Sequence, residues 1–246
     1  MAAFYGTVIF LGFIMLDNEK FEDLFQQFNT HRARYPVAAY ALRDINSRYL
    51  AASAEYLQLL FCDAGAMLPL SVAGSSLDLA TKHSLIYKDQ CAARQLAPLC
   101  TLEPIISSGR LVVLEVHRYP LVEQEQVVAL GVVVQQPTDS AGKFSFSSAL
   151  ELVAPPLSPT AMTLNQREWL IGLLLLQNWK NSAIATHLGI SYGRLGQILT
   201  RICRRKFGVA GAAGSYRRLL IETGLYKQIP QELLIQYALA FNESLQ

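Results

Sequence analysis

The chain has 246 residues, 52% hydrophobic and 16% charged, with a formal net charge of +2. That composition supplies one or two buried cores and excludes a disordered chain. The charge is unevenly spread: residues 160–227 hold ten basic and two acidic side chains, net +8, while residues 1–159 sum to −4 and residues 228–246 to −2, the pattern of a polyanion binder joined to a different domain.

The first 16 residues, "MAAFYGTVIFLGFIML", are apolar. They are short for a membrane span and lack the basic start of a signal peptide. Three readings are open: a buried strand or helix start, a membrane anchor, or a leader ahead of an initiator at Met15. From Asp17 to Arg34 the pattern is helical, with Phe21, Leu24, Phe25 and Phe28 on one stripe. That stripe could pack on the chain's own sheet or on a second protomer. Pro36 is expected to end the helix. "VAAYALRD" and "SRYLAAS" form a predicted hairpin around Asp44-Ile45-Asn46, followed by a helix from Ser53 as N-cap. Residues 63–104 read as mixed, with short helices. "GRLVVLEVHRYP" and "QVVALGVVVQQP" are rich in Val and Leu and read as strands, with "LVEQE" as their connection. These elements predict an α+β domain with an antiparallel sheet.

Residues 137–162 are rich in Ser, Pro, Ala and Gly, a linker composition. The domain plan is therefore an apolar leader at 1–16, a sheet domain at 17–139, a linker at 140–160 and an all-α domain at 161–246. "LNQREWLIGLLLLQ" opens with a capping box, Asn165 and Glu168. Four further helices follow, the last after Pro230.

Residues 181–207 carry the pattern that points to function. A helix-turn-helix needs a small inner residue in its first helix, which Ala185 supplies, and a turn residue tolerant of positive φ, which Gly189 supplies. Ile190 is expected to plug the core, and Ser191 to cap the next helix. Leu195, Ile198, Leu199 and Ile202 make its buried stripe. Tyr192, Arg194, Gln197, Arg201 and Arg205 then remain for solvent or DNA, and Arg204 and Lys206 extend the basic end. Arg and Gln have bidentate geometry for base edges and also hold phosphate. The expected DNA contacts are thus Ser191, Tyr192, Arg194, Gln197, Arg201, Arg204, Arg205 and Lys206, with the Arg204–Lys206 block gripping phosphate. An ordinary helical hairpin with a solvated basic face is the competing reading.

The segment from Leu164 to Val209 resembles the LuxR/GerE type of DNA-binding domain. Leu164, Asn165, Arg167 and Glu168 stand where that family has Leu-Thr-x-Arg-Glu. Asn181, Ile184, Ala185, Leu188, Gly189, Ile190 and Ser191 match its second motif in register. The recognition helix departs from the family at Arg194, Leu195, Gly196 and Ile198, which stand where that family has Thr, Val, Lys and His after the Gly matched by Gly193, so base preference does not carry over. "YPVAAYALRDINSRYLAASAEYLQLL" and "RLVVLEVHRYPLVEQEQVVALGVVVQQPTD" resemble the opening hairpin and helix and the last two strands of a PAS domain. Ser53 replaces the family's usual Asn, and Tyr119-Pro120-Leu121 lies at a frequent Lys-x-Pro-Leu element. In architecture and size the chain is similar to TraJ-type activators of conjugation genes on F-like plasmids.

The resemblance implies a cytoplasmic transcription regulator, an activator, that binds double-stranded DNA as a homodimer and meets RNA polymerase. The PAS-like part is expected to dimerise, with a small-molecule ligand left open. The alternative is a PAS-like signalling or scaffold protein whose basic domain binds a protein. No enzyme motif is present: no P-loop, GxSxG, HExxH, or GxGxxG in strand context. Cys62, Cys91, Cys100 and Cys203 form no CxxC pair and no Cys/His group has zinc spacing, so neither metal nor cofactor is expected. His83 and His117 are the haem-ligand candidates of a PAS cavity, with His117 read as a surface or core-satisfied strand residue. None of Cys62, Cys91 and Cys100 has the context of a flavin-adduct cysteine.

Overall fold

A computed structural model describes residues 8–10, 18–35, 38–61, 71–107, 109–135 and 159–236. The linker expected at 140–160, up to residue 158, lies outside them, as do Pro36 and most of the apolar start. Two compact units divide the chain, one within residues 1–103 and 114–153 and the other within 104–113 and 154–246.

A six-stranded sheet of order β1-β3-β2-β6-β5-β4 has all its residues in the first unit except the 104–113 stretch of β4 and β5. The strands are β1 (Val8–Phe10), β2 (Ala39–Asp44), β3 (Tyr49–Ser53), β4 (Leu99–Ser107), β5 (Arg110–Glu123) and β6 (Gln126–Gln135). The opening hairpin β2–β3 lies beside the last strand, so the sheet has the PAS-like arrangement expected. Within the apolar start, β1 pairs antiparallel with β3 through Val8 and Ser53. The β2–β3 turn is held by Asp44, whose Oδ1 accepts from the Asn46 and Arg48 amides at 2.8 Å each. At the β5–β6 turn, Gln124 and Glu125 both take positive φ, 48° and 65°, as a tight hairpin needs.

Helices α1 (Asn18–Arg32), α2 (Ala54–Phe61) and α3 (Leu79–Gln95) complete this unit. The α1 stripe packs on its own sheet: Leu24 and Phe28 are buried with Tyr40, Leu42, Tyr119 and Val133, and Phe21 and Phe25 lie against them. Ser53 caps α2, accepting from the Tyr56 amide at 3.2 Å.

The expectation of short helices across 63–104 is corrected. One 17-residue helix, α3, and the strand β4 occupy most of the described part of that region. No apolar stripe announced α3, because its buried face includes Thr81, Ser84, Lys88 and Asp89. These residues meet a charged cluster inside the unit. Asp89 lies 2.8 Å from Arg43 Nη1 and 3.0 Å from Arg118 Nε, and Glu103 lies 3.1 Å from Arg118 Nη2 and 2.8 Å from Lys88 Nζ. Arg118 also donates to Thr101 Oγ1 at 2.8 Å, and Ser47 donates to Asp89 at 2.8 Å. Three cations thus face two carboxylates. The Arg43 nitrogens find no acceptor in hydrogen-bonding geometry.

The second unit is helical, with α4 (Pro159–Thr163), α5 (Gln166–Leu176), α6 (Asn181–His187), α7 (Tyr192–Phe207) and α8 (Ala213–Glu222). A 3-10 turn at Leu225–Gln228 and a helix at 231–236 follow. Among the described residues no helix is long and apolar enough to cross a membrane.

Candidate nucleic-acid interface

The expected capping box opens α5: the Glu168 amide donates to Asn165 Oδ1 at 2.9 Å, and the Asn165 amide to Glu168 Oε2 at 3.0 Å. Helix α8 crosses α5 closely at Gly172, where a Cβ would sit 2.7 Å from Leu220 Cδ1. Tyr216 Oη donates to the Glu168 carbonyl at 3.1 Å, and Arg217 Nε to the Leu175 carbonyl at 3.1 Å. This framework fixes the bed on which α6 and α7 lie.

The turn between α6 and α7 forms as the residues require. Gly189 takes φ +63°. The Ile190 amide donates to the Ala185 carbonyl at 3.0 Å, and Ala185 is buried. Ile190 departs from expectation: its side chain is half-buried, so its backbone rather than its side chain closes the turn. Ser191 caps α7, its Oγ accepting from the Arg194 amide at 3.2 Å. That leaves the hydroxyl hydrogen available for a ligand.

Helix α7 buries Leu195, Ile198, Leu199, Ile202 and also Cys203. Its open side carries Tyr192, 64% exposed, together with exposed Arg194, Gln197, Arg201, Arg204 and Arg205. Arg194 Nη1 donates to Gln197 Oε1 at 3.1 Å, so these two side chains orient each other. Thr200 is exposed as well and falls between Gln197 and Arg204 on the same face; helical spacing alone could have found it. Lys206 stands apart. Its Nζ donates to the Thr163 carbonyl at 2.6 Å, which directs the ammonium to the end of α4.

The acidic side chains of the segment leave this face positive. Glu168 is buried in the capping box, and Glu222 sits 3.6 Å from Arg218 in an exposed pair. An exposed basic face on a helix beside a tight turn suits the major groove of duplex DNA, which admits one α-helix. Backbone N–H groups at the start of α7 add partial positive charge for a phosphate.

Elsewhere, the described residues bring Cys100, Glu115 and His117 together, a group with metal-ligand chemistry. Linear spacing did not reveal it, because Cys100 is on β4 while Glu115 and His117 are on β5. The alternation Glu115-Val116-His117 was the available signal.

No protein-family model matches the sequence. No curated protein matches it. Among solved structures, the phage VqmA–DPO complex is 21% identical, covers 89% of this chain and 95% of its own, and gives a TM-score of 0.43. The VqmA dimer of Vibrio cholerae is 18% identical over 89% of this chain and 93% of its own, with a TM-score of 0.38. The PAS domain of Bordetella pertussis BvgS is 16% identical over 49% of this chain and 90% of its own, with a TM-score of 0.36.

Proposed function

We propose that the chain is a sequence-specific DNA-binding transcription regulator, an activator that works as a homodimer through its PAS-like part, residues 17–139. Residues 161–246 carry the DNA-binding domain, and α7 enters the major groove. The observation that carries this reading is the chemistry of the α7 face, where Tyr192, Arg194, Gln197, Arg201, Arg204 and Arg205 are all exposed. Tyr192, Arg194, Gln197 and Arg201 choose bases; Ser191 and the Arg204–Lys206 block hold phosphate. The Lys206 ammonium donates to the Thr163 carbonyl and keeps two further N–H groups for phosphate. Promoters of plasmid-transfer genes are the first targets to test, with RNA polymerase as the protein partner of an activator.

Duplex binding followed by fluorescence anisotropy across a salt series tests the reading. Affinity should fall linearly in log[salt], and Arg205→Ala should reduce the slope by about 0.9. Selection from a random duplex pool should yield a preferred site, and Arg194→Ala should relax it by about 1–3 kcal/mol at one position. Absence of duplex binding at low salt overturns the proposal and leaves a basic domain that engages a protein.

A further inference from the structure

We infer that Cys100, Glu115 and His117 form a binding site for one divalent transition-metal ion of the zinc class. His117 Nε2 lies 2.7 Å from Glu115 Oε1, and Cys100 Sγ lies 3.8 Å from each of those atoms. Zinc bonds of about 2.3 Å to sulfur and about 2.0–2.1 Å to nitrogen and oxygen place tetrahedral ligand atoms about 3.3–3.6 Å apart. The three observed separations straddle that range. Small side-chain rotations that open the His117–Glu115 contact and close the two sulfur distances complete the site.

The outward atoms of the ligands are held as a metal site needs. Tyr35 Oη lies 3.3 Å from His117 Nδ1, so neutral His117 can keep its proton there and present Nε2 inward. Gln135 Nε2 donates to Glu115 Oε2 at 3.3 Å, which turns Oε1 toward the sulfur and the imidazole. Gln135 lies opposite Glu115 in the β5–β6 register. The His117 and Glu115 side chains are 14% and 18% exposed, which leaves room for a fourth ligand from water.

Thiolate, imidazole and carboxylate together select zinc, cobalt or a similar ion over calcium and magnesium, which take oxygen ligands. Thiolate and carboxylate cancel the two charges of the ion. Without a cation the Cys100 thiol is pushed up to about 12 by burial and by the neighbouring Glu115 carboxylate. Metal binding replaces the S–H bond with a sulfur–metal bond, and the proton leaves to the buffer.

The test is titration of the full-length reduced protein with Co2+. Binding should saturate at one ion per chain, with the near-ultraviolet thiolate-to-cobalt band and visible bands of tetrahedral intensity, and Zn2+ should displace it. Cys100→Ser should abolish the thiolate band. His117→Gln should weaken metal affinity about 10-fold or more, and Cys62→Ser, Cys91→Ser and Cys203→Ser should each retain the band. Melting of each variant, followed by circular dichroism, checks that it is folded. The proposal is overturned if the parent protein gives no thiolate–cobalt band, or if the band survives Cys100→Ser or follows another cysteine.

Discussion

Asp89→Asn is the most demanding test of how the sheet unit is held together. Asp89 is 1% exposed, and its carboxylate serves both Arg43 and Arg118 at 2.8 and 3.0 Å. Replacing it leaves three buried cations, Arg43, Arg118 and Lys88, with Glu103 alone. Removing one partner of a buried pair costs about 3–5 kcal/mol, because the other charge stays desolvated. Arg43 is left without a carboxylate while Arg118 keeps Glu103, so about 3 kcal/mol, the lower end, is expected. A domain is stable by about 5–15 kcal/mol in total, so the loss is large. Arg43→Met gives the contrast. It removes the surplus cation whose nitrogens lack hydrogen-bonding acceptors and leaves two cations with two carboxylates. It should therefore stay within about 1 kcal/mol of the parent, because Asp89 keeps Arg118 and no charge is left uncompensated. Urea unfolding measures both. The two tryptophans, Trp169 and Trp179, lie in the helical unit, so their fluorescence follows that unit while far-ultraviolet circular dichroism also follows the sheet. With a urea slope of about 1–3 kcal/mol/M, the Asp89→Asn sheet transition should fall by about 1 M or more. A loss well below about 3 kcal/mol for Asp89→Asn, or an equal loss for Arg43→Met, refutes the charge accounting.

Three other outcomes follow from individual contacts. Gly131→Ala should cost about 1–3 kcal/mol in denaturant unfolding, since its Cβ would lie 2.1 Å from Phe28 Cδ2 in the core beneath α1. Gly196→Ala should stabilise by about 0.5–1 kcal/mol, because nothing lies within 4 Å of the added carbon in the interior of α7; a simultaneous loss of duplex affinity would mark a close backbone approach there. His31 is held below the usual imidazole value of 6.5, by burial and then by Arg34. The unfolded chain therefore takes up that proton more readily, so the His31 contribution is present above about pH 6.5 and lost as pH falls through the folded value. Thermal melts at pH 7.5 and 5 should show the parent losing more stability on acidification than His31→Gln.

The sequence was legible where one physical signal dominated. The Phe21-to-Phe28 stripe, the Asp44 turn, the β5–β6 pair and the Asn165–Glu168 cap each depend on local pattern, and each forms. Gly189 and the α7 stripe followed from the same logic. Helix α3 was not legible, because hydrophobic periodicity assumes an apolar buried face and α3 buries Lys88 and Asp89. Strand β4 shares the cause: Thr101 and Glu103 face the same charges, and Pro104 interrupts the strand pattern. On α7 the exposed side chains could be named from spacing. That Lys206 also donates to the Thr163 carbonyl could not, since its partner is 43 residues away.

The charged bed of α3 also keys that helix in place. A helix seated on apolar ridges can slide one turn, about 5.4 Å, and bury similar groups. If α3 slid so, Leu85 or Ala93 would take the place of Asp89; Arg43 would lose its carboxylate and Arg118 one of its two. Lys88 and Asp89 are sequence neighbours, yet they address different strands, Glu103 on β4 and Arg43 and Arg118 on β2 and β5. Rotation is thereby penalised along with sliding. Among homologous chains, these positions should drift in compensating sets, while the segments flanking α3 remain free to vary in length.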